Sequence, residues 1–453
     1  MATLSSSLAA PRSFAPGIPA VPGLPLVGNM LAFRRDRLAL FEHASRLGRL
    51  ARVTLGPIPL YVVTCGDLAR EVLVDQAATF KKSAGLQFLR PLLGNGLLTA
   101  EGDDHRRHRK LLAPAFSPKR IASYAEIMVD ETREQVSRWS PGDRIDLSDE
   151  MMQMTLAIAG RTLFGVDPRR DADTVARAIE LAMLSMTDNL TSMLRLGYHW
   201  PLPRHLRMKR AVQLLDDVVY RLIAEGRKLG SDRGDVLSML LLARDEEDGT
   251  GLSDREVRDE VMTLLLAGHE TTANALTWAW YELGRNAGSL ERLEAEVRKL
   301  GTRPLTPDDL PALPWTAAVI DEAMRLHPPA YVVGREAMAD FTLDGHQIPA
   351  KSVVVINILG IHRRADYFPD PLAFRPERML PDAKKARPRH HFLPFGAGPR
   401  VCIGAHFALV EAQLTLATMV QHTRLRPLKA AVAPEPMVTL RPRGGMPAIV
   451  ERC

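Results

Sequence analysis

The sequence predicts a mainly α protein with small β-sheets, folded as a single domain. Three observations carry that expectation. Apolar residues recur at helical spacing through the middle of the chain, over roughly 250 residues. Runs rich in β-branched residues are confined to the two ends. No internal repeat, low-complexity linker or block of like charge divides the 453 residues, and a hydrophobic content of 46% is ample for a large core.

The stretch from Met1 to Pro19 is rich in Ser, Ala and Pro. It has neither the charged and apolar regions of a signal peptide nor the roughly 20 apolar residues that span a bilayer. We expect a flexible lead-in over 1–19, one domain over 20–453, and no membrane anchor. Strand-like stretches follow at Ala51 to Leu55 and Leu60 to Thr64, with Gly56, Pro57 and Pro59 as turn residues. In the helical middle, DDHRRHRKLLAPAF spaces His105 and Arg109 at i,i+4, on one face. Val261 to Trp280 is apolar nearly all round, which places a helix in the core. Gly268, His269, Glu270, Thr271 and Thr272 interrupt it, and a buried carboxylate without partners is costly. The residues alone leave two readings open. Thr271 can bond back to a carbonyl one turn earlier with Glu270 in a polar seam, or these groups are kept for chemistry.

Further on, Asp321 to Arg325 sets Glu322 and Arg325 one turn apart, a pair that on a solvated face contributes about a few tenths of a kcal/mol. A second strand-rich interval runs from Ala337 to Asn357 around the turn Asp344-Gly345. Strand signals return at Met437 to Leu440, ahead of the turn Gly444-Gly445.

The most specific feature lies between those two intervals. Phe395 to Gly404 reads FGAGPRVCIG and opens onto a helical pattern of Ile403, Phe407, Val410 and Leu414. A cysteine there sits at a helix N-terminus, where backbone N–H groups and the macrodipole moderate a metal-ligating thiolate. Gly396, Gly398 and Gly404 let the backbone approach a flat cofactor closely. Cys65, Cys402 and Cys453 are too widely spaced for a disulfide framework or a multi-cysteine metal site, which suits a reducing cytoplasm. The net charge is +6 and the pI about 9.3. The basic residues are dispersed and no aromatic-basic module accompanies them, which argues against nucleic acid and for an acidic protein partner.

The decapeptide resembles the haem-binding signature of the cytochrome P-450 superfamily, Phe-x-x-Gly-x-Arg-x-Cys-x-Gly. Phe395, Gly398, Arg400, Cys402 and Gly404 fill every specified position. The resemblance covers roughly residues 20–453. It implies a triangular helical prism with a minor β region, and a haem b whose iron takes Cys402 as axial ligand. Ala267-Gly268-His269-Glu270-Thr271 resembles the small-Gly-x-acid-Thr segment of the central helix, which crosses the distal haem face. By that likeness Ala267, Gly268, Phe395, Gly396 and Gly404 contact the cofactor, while Glu270 and Thr271 relay protons to bound dioxygen. His269 is expected to turn away. Glu322 and Arg325, before Leu326-His327-Pro328-Pro329, together with Arg378 of Pro376-Glu377-Arg378-Met379, match a structural charge cluster of the family. Met379 departs from the common aromatic.

His105, Arg109, Arg335 and Arg400 match positions that hold the haem propionates. The segments lining the family's substrate pocket supply Leu86, Phe88, Leu97, Leu98, Met183, Met186, Leu190, Ala267, Val332, Val333 and Val438, an apolar set. Gly56-Pro57-Ile58-Pro59 offers no basic anchor for a fatty-acid carboxylate. The expected activity is insertion of one oxygen atom from O2 into an apolar fatty-acid, terpenoid, steroid or drug-like molecule.

No Gly-rich nucleotide fingerprint is present and the chain ends about 50 residues after Cys402, so electrons are expected from a separate ferredoxin or flavodoxin with its NAD(P)H-dependent reductase. Arg106, Arg107, Lys110, Lys384, Lys385, Arg387 and Arg389 are the expected docking cations. The competing functions are a peroxygenase, isomerase or dehydratase without a redox partner, and a haem-binding sensor without catalysis. An acid-Thr pair favours the monooxygenase.

Overall fold

The computed structural model describes residues 15, 17–165, 172–191, 200–244 and 249–451. Ten helices of ten or more residues lie among them: α1 (Arg37–Arg46), α2 (Gly102–Leu112), α3 (Pro118–Ser137), α4 (Leu147–Phe164), α5 (Ala172–Thr191), α6 (Pro203–Leu229), α7 (Asp254–Arg285), α8 (Ala287–Arg298), α9 (Pro314–Leu326) and α10 (Ala405–His422). The longest, α7, starts at a capping box in which the Ser253 hydroxyl accepts from the Glu256 N–H and the Glu256 carboxylate accepts from the Ser253 N–H. Its apolar residues go all the way round, so it packs against α4, α6, α8, α9 and α10.

Among the described residues, twelve short strands form four sheets. β1 (Leu50–Leu55), β2 (Ile58–Val63), β3 (Phe80–Lys82), β5 (Val333–Ala337) and β8 (Val353–Ile356) make a sheet in the order β1-β2-β8-β5-β3. In it β2 and β8 run parallel and the other pairs antiparallel. β4 (Arg144–Asp146), β12 (Pro447–Glu451) and β9 (Arg424–Pro427) form a second. β6 (Phe341–Leu343) and β7 (His346–Ile348) form a hairpin whose turn residues, Asp344 and Gly345, both have positive φ. The fourth sheet pairs β10 (Pro434–Pro436) with β11 (Leu440–Pro442).

This is the mainly α arrangement with small sheets that the sequence implies. Two expectations need correction. Met437 to Val438 is not strand but the tip of the β10–β11 hairpin, where the Met437 N–H donates to Glu435 O and Thr439 O. Pro434 and Pro436 lie in β10, an edge strand of a two-stranded ribbon, where a missing backbone donor is tolerated. The lead-in over 1–19 falls mostly outside the described residues, but its described part is packed. Ala15 and Ile18 are buried against the larger sheet, and the Arg52 N–H donates to Pro19 O at 2.7 Å. Cys453 lies outside the described residues.

Candidate active site

Between residues 257 and 283, α7 is buried at every position except Ala267, Gly268 and Thr271. These fall at i, i+1 and i+4, on one side of the helix. Accessible surface in the middle of an otherwise buried helix marks an internal cavity. Thr271 Oγ1 donates to Ala267 O at 2.8 Å, so the back-bonded hydroxyl is what forms, and its lone pairs remain as acceptors. His269 is buried on another side, with Nδ1 2.7 Å from Leu265 O.

Glu270 is 1% exposed. Its Oε1 accepts from Thr439 Oγ1 and, at 2.8 Å, from Arg441 Nε, while Oε2 has no hydrogen-bond partner. The β10–β11 hairpin therefore anchors one carboxylate oxygen and leaves the other open. Nothing local to Glu270 signals this, because Thr439 and Arg441 lie about 170 residues away.

Cys402 is held in its turn by a bond from its N–H to Phe395 O at 3.0 Å. Gly398 makes the turn possible, since a Cβ there would lie 1.8 Å from Leu73 O. Helix α10 starts three residues after the cysteine, with Gly404 as its N-cap. The thiol is accessible, yet its surroundings are dry enough that burial pushes its pKa up, against the pull of the Gly404 N–H and of Arg109. Arg109 Nη1 donates to Val401 O at 2.8 Å, which fixes α2 against the cysteine loop.

Beside the loop lies a crowd of cations. Arg400 pairs with Glu101, Arg335 is 8% exposed, and Lys82 Nζ donates to Leu97 O at 2.8 Å and Ala100 O at 2.6 Å. Burial and then Arg400 lower the Lys82 pKa to about 7 and that of Arg335 to about 10. Burial, then Lys82, Arg400 and Arg109, lower His105 to about 4. Lys82, Arg335 and Arg400 thus crowd one another around the Glu101 carboxylate.

Glu322, Arg325 and Arg378 come together in the fold. Glu322 and Arg325, both 0% exposed, meet through two bonds of 2.8 Å. Arg378 Nε lies 3.3 Å from Glu322 Oε1, and Arg325 also donates to the carbonyls of His362, Pro371 and Ala373.

The cytochrome P450 family model matches residues 18–446. The chain belongs to the cytochrome P450 family. It is 39% identical over 426 residues to cyclooctatin synthase of Streptomyces melanosporofaciens, covering 92% of each chain. It is 37% identical over 431 residues to cyclooctat-9-en-7-ol 5-monooxygenase of the same organism, covering 94% of each. With pentalenene oxygenase of Streptomyces avermitilis it shares 34% identity over 423 residues, 92% of each. This P450 is a haem-thiolate monooxygenase that uses haem b and O2 on an apolar substrate, with electrons from a redox partner. Among the described residues no helix is long and apolar enough to cross a membrane.

The residues present fit the cofactor. Lys82, Arg335 and Arg400 lie around a single carboxylate, Glu101, so the cluster carries a net positive charge that suits the anionic propionates of a haem. Lys82 was not legible, since one lysine in the strand FKK reads as surface. The expected pocket residues divide. Leu86, Phe88, Leu98, Val332, Val333 and Val438 are partly accessible, and Ala267 is exposed. Leu97 is 8% exposed, whereas Met183 and Met186, at 1%, belong to the main core, where α5 packs on α6. The side chain of Leu190 lies outside the described residues.

Proposed function

We propose that this P450 oxidises a ring-containing, oxygen-poor hydrocarbon of the terpenoid kind, or a mono-alcohol of one. The observation that carries this reading is the accessible set Leu86, Phe88, Leu98, Ala267, Val332, Val333 and Val438, apolar throughout. Such a wall binds by area and shape. The names of the relatives support it, since they speak of an alkene and an unsaturated alcohol.

When bound, haem b activates dioxygen with two electrons, so that one oxygen atom enters a C–H bond and the other leaves as water. Cys402 would hold the iron, with the Gly404 N–H and Arg109 drawing charge from the thiolate. His105, Arg109, Arg335, Arg400 and Lys82 would hold the two carboxylates. Ala267 and Gly268 present little bulk on the opposite wall, while Phe395 and Gly396 line the turn. Thr271 Oγ1, donating to Ala267 O, accepts from a water. Glu270 Oε2 is the place where a proton is loaded, because Oε1 is already committed to Thr439 and Arg441.

We assign electron supply to an acidic ferredoxin or flavodoxin with its NAD(P)H-dependent reductase, in the cytoplasm. A groove of about 350 Å³ bounded by His105, Arg106, Arg109, Lys110, Ala113 and Pro399 lies beside the cysteine loop. Arg106, which pairs with Asp103, and Lys110 are exposed on its rim, and Lys385 and Arg389 are exposed elsewhere on the surface. Arg107 and Lys384 are engaged internally, with Glu256 at 2.7 Å and Asp321 at 2.6 Å, and Arg387 bonds to Arg378 O.

The test is a difference-spectrum titration of the holoenzyme with terpenoid alkenes and alcohols, fatty acids and steroids, followed by turnover. A terpenoid ligand should shift the Soret band and yield an oxygenated product that depends on NAD(P)H and a ferredoxin or flavodoxin chain. Product from peroxide alone, or a spectral response confined to fatty acids, would reject the reading.

A further inference from the structure

The loop that leads from the short helix Arg90–Leu93 into α2 carries Leu97 and Leu98, and two consecutive carboxylates of α7 grip its backbone. Asp259 Oδ2 accepts from the Asn95 N–H at 2.7 Å, and Glu260 Oε2 accepts from the Leu97 N–H at 3.1 Å. Glu260 is 0% exposed and Asp259 5%. Asp259 pairs with Arg258, and Glu260 faces His108. Arg258 Nη1 donates to Asp259 Oδ1 at 2.9 Å and its Nε reaches Asp216 of α6 at 2.7 Å. His108 of α2 places Nδ1 2.8 Å from Glu260 Oε1. Burial opposes charge on that imidazole, but Glu260 outweighs it and raises the His108 pKa.

The loop lies directly on the helix. A Cβ on Gly96 would stand 2.3 Å from Thr263 Oγ1 and 2.4 Å from Asp259 O, and one on Gly94 would meet the Asp259 carboxylate at 2.1 Å. From the other side Lys82 Nζ donates to Leu97 O and Ala100 O. Glu260, Leu264, Ala267 and Thr271 follow one another at i+4, i+3 and i+4, so the carboxylate that fixes Leu97 stands on the stripe that ends at the cavity. Its distance from Ala267 along the axis is about 10 Å.

Buried ion pairs contribute little net stability compared with apolar packing, and their best attested use is to fix one register. Backbone N–H groups bound to ionised carboxylates are among the stronger hydrogen bonds. We propose that Asp259 and Glu260 are positioning residues that lock Asn95 to Leu98 onto α7 and thereby set how bulky a substrate the pocket admits. This rests on the reading that Leu97 and Leu98 wall the pocket.

The test uses ferric holoenzyme titrated with imidazole and with 4-phenylimidazole, two nitrogen ligands of one iron that differ in bulk. The ratio of their Kd values reports the room above the haem. In Glu260→Ala the ratio should move by about tenfold, the size of effect one methylene in a pocket carries. Glu260→Gln, which keeps an acceptor for the Leu97 N–H, should restore part of it. The reduced carbon-monoxide spectrum of each variant checks that the thiolate site is intact. If Glu260→Ala does not retain haem, Asp259→Ala and Gly96→Ala carry the same readout, the latter wedging the loop off α7 without removing a charge. Leu98→Ala separates the two layers of the argument. A ratio that responds to Leu98→Ala but stays within about twofold of wild type in the clamp variants overturns the clamp. A ratio indifferent to Leu98→Ala overturns the pocket reading, and the clamp's role in admission with it.

Discussion

Cys402 must be reached by a metal and still be shielded from bulk water, and the residues around it meet both demands. The Gly404 N–H and the Arg109 charge favour the thiolate while burial disfavours it. A hydroxyl has no comparable affinity for iron. Cys402→Ser should therefore abolish the strongly red-shifted Soret band of the reduced carbon-monoxide complex, and a retained band would reject the ligand assignment. Thr271 presents a second case in which one atom serves two ends. Its hydroxyl hydrogen is spent on Ala267 O, so only its oxygen is available to order a water. Thr271→Ala should leave haem and substrate binding within about twofold and lower product formed per NAD(P)H severalfold, the missing electrons appearing as peroxide. Equal coupling in variant and wild type would show that proton delivery bypasses this hydroxyl.

Helix α7 was legible because its signals are local. An apolar run from Val261 to Trp280 places a helix in the core, and the polar interruption AGHETT is visible within it. The same holds for the cysteine decapeptide and for the hairpin turn at Asp344-Gly345. What escaped were partners supplied by remote chain: Arg441 to Glu270, Glu101 to Arg400, and Lys82 to the cations beside the cysteine loop. Nothing in Gly94-Asn95-Gly96 names Asp259 as its partner. Glu411 was hidden as well, inside the otherwise apolar pattern of α10. It is 1% exposed beside Thr272 of α7, both its oxygens lack a hydrogen-bond partner, and burial pushes its pKa up to about 8. Between an unfolded value near 4.5 and about 8, the folded state holds a proton that the unfolded state has lost. Stability is therefore drawn down as pH rises through that window. Glu411→Gln keeps the neutral shape and removes the titration. Its melting midpoint should exceed that of wild type by a few degrees at about pH 8, with the gap closing towards about pH 5. A gap that does not change with pH would mean that Glu411 is not a neutral acid in the fold.

On the scale of the molecule, the helical core and the smaller cores of the β-sheet are separate clusters, and the cysteine loop, α2 and β5 lie where they meet. That placement leaves one side of Cys402 close to the surface, by the groove of Arg106, Arg109, Lys110 and Pro399. A donor docked on that groove would have a short path to an iron held by Cys402. The net charge of +6 gives an acidic donor a long-range pull, and exposed Arg106 and Lys110 give it a local one. Such steering decays over a Debye length, about 10 Å at 0.1 M salt, so it acts on encounter and much less on the docked complex. First-electron transfer from a reduced ferredoxin to substrate-bound enzyme, followed by stopped flow, should slow by about an order of magnitude as ionic strength rises. The double variant Arg106→Glu with Lys110→Glu should start slow and lose most of that salt dependence. Its carbon-monoxide spectrum should match that of wild type, because neither side chain is a haem ligand. A wild-type rate that ignores salt, or a charge-reversed variant that keeps the wild-type salt slope, would place the donor on some other face and leave the groove without a partner.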